Sequence, residues 1–102
     1  MKIYDKSAWQ IDKGLDKKVV IKHFKFIFTW LKSRKMLSDE GIEVYKSGID
    51  EEVSLHENLL TEEGNKFIDK YYDMLITASE YDVAKEKKLI NEFRVEFCKK
   101  KI

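Results

Sequence analysis

A chain of 102 residues, 43% apolar and 13% aromatic, is long enough to bury one core, too short for two domains and too apolar to remain disordered. It holds no proline and only four glycines, so it lacks the turn residues that many short strands require. Its net charge of +1 conceals a basic, acidic, basic order: residues 1–35 sum to +7, residues 36–82 to −10 and residues 83–102 to +4.

The first fifteen residues, with Tyr4, Trp9 and Ile11, read as an extended arm or a short turn. Asp16 then supplies an N-cap for a helix over 16–35. At about 100° per residue, Lys18, Lys22, Lys25 and Lys32 fall on one narrow stripe of that helix. Val19, Val20, Ile21, Phe24, Phe26, Ile27, Phe28, Trp30 and Leu31 fill the remainder, an arc of roughly 220° against the ~100° that a helix lying on one neighbour needs. Such a helix is packed from several sides or keeps part of its face for a partner, with Phe26 and Trp30 as the candidate apolar interface.

Met36-Leu37-Ser38-Asp39-Glu40-Gly41 is echoed by Leu59-Leu60-Thr61-Glu62-Glu63-Gly64. Each segment offers a hydroxyl cap and two acids beside the positive end of a helix dipole. Glycine stands where a full capping box has Glu or Gln. Helices are therefore expected over about 38–47 and 61–78. Within residues 49–60, Asp50-Glu51-Glu52 is acidic and Val53-Ser54-Leu55 mildly strand-like, and Ser79-Glu80-Tyr81-Asp82 offers an S-x-x-D start for a last helix over about 80–99. The expected class is all-α, or mainly α with at most a small hairpin near 49–60. It is a single compact four-helix domain, residues 1–102, around the central apolar helix 16–35.

Several chemistries lack their residues. His56-Glu57 opens like the zinc-protease H-E-x-x-H, but Leu60 stands where the second histidine belongs. Glu52 and His56 are four apart, not the three of a di-iron helix. His23 lies within the apolar arc, where a buried imidazole bonded to a neighbour is the simpler reading. Cys98 has basic neighbours that favour a thiolate, but the sequence places no histidine as its base. There is no glycine-rich phosphate cradle and no nucleophile elbow. The Phe24/Phe26/Phe28 series and Tyr71-Tyr72 read as core at helical spacing rather than as base-stacking platforms. The chain is expected to be no enzyme, with no catalytic residues, no metal and no cofactor.

Met1-Lys2-Ile3-Tyr4-Asp5-Lys6 lacks the apolar run of a secretory signal, and Val19–Ile21 and Phe26–Phe28 are too short to span a bilayer. The single Cys98 stands fifth from the end, so it forms no prenylation box. A cytoplasmic protein without membrane attachment is expected. Eighteen lysines against two arginines hint at an AT-rich, bacterial genome.

Leu60-Thr61-Glu62-Glu63-Gly64, followed by an aliphatic and aromatic helix, resembles the end of many winged-helix repressors. That resemblance implies a nucleic-acid-binding regulator whose recognition helix lies within 38–58. This segment carries Asp39, Glu40, Glu43, Asp50, Glu51, Glu52 and Glu57 against Lys46 alone, which repels phosphates. The same acids suit a protein-binding domain that docks a cationic partner, as small acidic immunity or antitoxin-like proteins do. They form the expected partner-binding face unless the basic segments neutralise them internally. A third reading is a homodimer paired through the Trp30, Phe26 and Val19 side of the first helix.

Overall fold

The computed structural model describes residues 1–99. The chain runs β1 (Ile3–Lys6), α1 (Ser7–Asp12), α2 (Lys17–Ser33), α3 (Asp39–Ser47), β2 (Ser54–His56), a 3-10 turn at Glu57–Leu59, α4 (Glu62–Ser79) and α5 (Val83–Lys99). It is mainly helical with one two-stranded sheet, the class expected from sequence.

Asp16 starts α2 by accepting from the backbone N–H groups of Lys18 and Val19 at 2.8 and 3.4 Å. The lysine stripe is exposed, and Val20, Phe24, Ile27, Phe28 and Leu31 are completely buried. Burying side chains of this size contributes about 1.5–3 kcal/mol each. The helix touches α1, α3 and α5, as its wide apolar arc requires. The arc is not closed all round: Val19 is exposed, and Ile21 and Phe26 are half-buried. On the facing side, α4 contributes Phe67, Ile68, Tyr71, Tyr72 and Leu75 to the core. Its aromatics bind the two long helices around it, with Trp30 stacked on Phe67 at 5.2 Å and Tyr71 stacked on Phe93 at 5.1 Å.

The echoed segments are spatial mates. Ser38 Oγ accepts from Gly41 N and Thr61 Oγ1 from Gly64 N, so each hydroxyl caps its own helix. Leu37 and Leu60 form an antiparallel bridge between the segments. Reciprocal bonds flank it: Ser38 N–H donates to Leu59 O, and Thr61 N–H to Met36 O, both at 2.9 Å. A Cβ on Gly41 would stand 2.1 Å from Leu59 O, and one on Gly64 would stand 2.5 Å from Met36 O. Each helix start thus lies directly against the other segment's backbone. That contact, not helix capping, explains why glycine occupies the capping-box position.

Two expectations need correction. Residues 1–15, expected as an extended arm or a short turn, form the strand β1 and the helix α1, because β1 pairs antiparallel with β2. The small two-stranded element expected near 49–60 is present, and its partner strand lies some fifty residues upstream. Ser79 does not cap α5: it is completely buried at the end of α4. Asp82 caps instead, accepting from Ala84 N at 2.9 Å, after Glu80 and Tyr81 turn the chain at φ 52° and 65°.

Candidate functional site: an acidic cleft between α3 and β2

The Ser38 cap starts α3 so that Glu40 and Glu43, three residues apart, share one helical face. Gly48, at φ 103°, ends the helix in a conformation that glycine adopts without penalty. The chain then returns along the helix. Buried Ile49 and Val53 pin this return to the core, and the Asp50 side chain accepts from Glu52 N at 2.8 Å to close a turn. Between α3 and β2 this leaves a cleft of about 400 Å³ floored by Val44, Val53 and Leu59. Glu40, Glu43, Asp50 and Glu52 line it together with Ser54 and His56, and no lysine or arginine does. Among the described residues, none of the four carboxylates has an ion-pair partner.

Four of the seven acids expected to form a partner-binding face therefore converge on one cleft, from a helix and from the loop after it. The other three do not join them. Glu51 pairs with Lys17, and Glu57 lies 4.0 Å from the terminal amine of Met1. Asp39 is exposed in the first turn of α3, outside the cleft. Internal neutralisation by the basic N-terminal third thus reaches Glu51 and Glu57 but not the cleft. His56 stands at the cleft wall, and its Nδ1 is buried with no hydrogen-bond partner.

Of the expected apolar interface, Trp30 is covered while Val19 on the same helix is exposed. Trp30 is buried against Phe67, and its Nε1–H donates to Asn91 Oδ1 at 3.1 Å. Phe26 is half-buried.

A second polar constellation lies wholly inside. His23 and Glu86 are completely inaccessible and in contact through Nδ1 and Oε2. His23 Nε2 meets the Tyr72 hydroxyl at 2.7 Å, and Tyr72 and Tyr81 both donate to Asp5 Oδ2, at 2.7 and 2.8 Å. Gln10 Nε2 and Lys6 N donate to Asp5 Oδ1. Four donors on one carboxyl are the pattern of an ionised carboxylate. Each tyrosine has spent its proton on Asp5, so the Tyr72 oxygen accepts from His23 Nε2–H. Burial, followed by the negative charge of Asp5, raises the pKa of Tyr72 and Tyr81 far above the usual tyrosine value. The cluster ties β1, α1, α2, α4 and α5 together.

Sequence reasoning placed His23 in the core but missed its partners. Glu86 carried a legible signal, since it falls on the buried stripe of α5 with Val83, Ile90 and Phe97. Asp5 carried none, because its burial depends on strand pairing across the chain.

No three His, Cys, Asp or Glu side chains among the described residues are grouped to hold a metal ion. No described helix is long and apolar enough to cross a membrane. Compared with protein-family models, curated proteins and solved structures, the chain matches none.

Proposed function

We propose that this is a protein-binding domain whose acidic cleft docks a cationic partner protein, a role of the kind that immunity or antitoxin-like proteins perform. The observation that carries the reading is the convergence of Glu40, Glu43, Asp50 and Glu52 on one cleft without a lysine or arginine among its lining residues. Like charges held together and unpaired repel one another, so their grouping costs stability unless a cation answers it. A complementary field of this kind speeds encounter and selects the partner's charge.

The regulator reading gains nothing comparable. In α3, the helix that the winged-helix resemblance would place against DNA, Asp39, Glu40 and Glu43 are all exposed. The sheet joins β1 to β2, so no hairpin wing lies between α3 and α4.

The test uses the intact chain as bait in a lysate of its native cells, beside a variant carrying Glu40→Lys, Glu43→Lys, Asp50→Lys and Glu52→Lys. These residues are exposed, so the variant should keep the wild-type circular dichroism spectrum. The wild type is expected to retain a basic protein at low salt, releasing it as ionic strength rises to about 0.5 M, and the variant is expected to retain none of it. Equal retention by both baits would overturn the reading.

A further inference from the structure

Resting on that reading, we infer that the outer edge of β2 receives an extended, lysine- or arginine-bearing segment of the partner as a third strand. Ser7 N–H donates to Val53 O at 3.1 Å and Glu57 N–H to Lys2 O at 3.0 Å, so residues 53 and 57 aim at β1. The register opposes Ile3 to His56 and Lys6 to Ser54, with a bulge between Ile3 and Asp5. Hydrogen-bonding direction alternates along an antiparallel strand. Leu55 therefore also aims at β1, and Ser54 and His56 direct their N–H and C=O groups away from it. No loop or turn backbone reaches those groups among the described residues.

Both residues line the acidic cleft. The unpaired edge and the unpaired carboxylates thus open on the same space. Natural edge strands are blunted by shortness, by lysine, by proline, by bulges or by a covering element; β2 is short but carries no lysine or proline in its Ser-Leu-His. An incoming strand can bond the N–H and C=O of Ser54 and His56 directly, the mode in which main-chain bonds give affinity and alternate side chains give selectivity. Its successive side chains point to opposite faces, so cations at every second position can all reach one row of carboxylates. A second copy of this chain is disfavoured as occupant, because its own β2 edge would bring Glu40, Glu43, Asp50 and Glu52 against their equals.

The experiment titrates the intact, isotopically labelled chain with an end-capped seven-residue peptide alternating lysine and valine. Two further peptides of the same sequence carry backbone N-methyl groups at the odd or at the even positions, which leaves charge unchanged but removes donors from one edge. The unmodified peptide is expected to bind at low salt and to slow amide exchange at Ser54 and His56. One methylated peptide should bind at least tenfold more weakly. If both methylated peptides bind as tightly as the parent, charge alone holds the peptide; strand addition is then wrong, and cationic docking stands. Exchange protection away from Ser54 and His56 would also overturn strand addition. So would failure of the parent peptide to bind, and cationic docking is then decided separately by the retention experiment.

Discussion

Asp5 is 2% exposed, yet accepts four hydrogen bonds, two of them from tyrosine hydroxyls. A buried carboxylate is tolerated when donors replace the water it loses, and here the donors come from the neighbouring Lys6 and Gln10 and from the distant Tyr72 and Tyr81. One consequence is measurable at high pH. The pKa values of Tyr72 and Tyr81 are raised on folding, so the folded chain holds two protons that the unfolded chain releases above about pH 10. This contribution to stability is complete below pH 10 and falls as pH rises beyond it. Followed by tyrosinate absorbance, fewer than the five tyrosines should ionise near pH 10, with Tyr72 and Tyr81 appearing only as the helical signal is lost. Ionisation of all five before unfolding would contradict the hydrogen-bond assignment.

At the scale of elements, the two echoed helix starts behave as one unit. Alanine at position 41 or 64 would suit a helix interior, but its Cβ meets a backbone carbonyl oxygen at 2.1 or 2.5 Å. Backbone cannot swing aside as a side chain does. Gly41→Ala and Gly64→Ala should each cost about 1–3 kcal/mol, read as a lower urea midpoint with the slope unchanged. A neutral or stabilising result would mean that the segments separate without cost. Helix positions were legible because their signals are local: Asp16, Ser38 and Thr61 cap the helices they were expected to cap. The start of α5 was misread because Ser79 and Asp82 both offer a cap, and burial of Ser79 beside Glu86 decides between them.

Across the whole molecule, charge order along the chain becomes charge placement in space only partly. The basic first third reaches back to the acidic middle through Lys17 and Glu51, yet leaves the cleft carboxylates unpaired. If those charges are kept for a partner, relieving them should stabilise the free chain. Glu40→Gln, Glu43→Gln, Asp50→Asn and Glu52→Gln together are expected to raise Tm by about 5 °C at low salt. The gain should shrink as salt screens the repulsion. A fall in Tm at low salt would show that the four acids serve the fold.

Sequence alone determined the mainly helical class, four of the five helices, the lysine stripe of α2 and the acidic character of residues 36–82. Periodicity, capping and composition act within a few residues, so they can be read without coordinates. Tertiary structure alone decided the pairing of β1 with β2, the contact between the two glycine-bearing helix starts, the enclosure of Asp5, His23 and Glu86, and which four of the seven acids share a cleft. Each joins residues distant in the chain, and the sequence does not record which of its separated segments become neighbours.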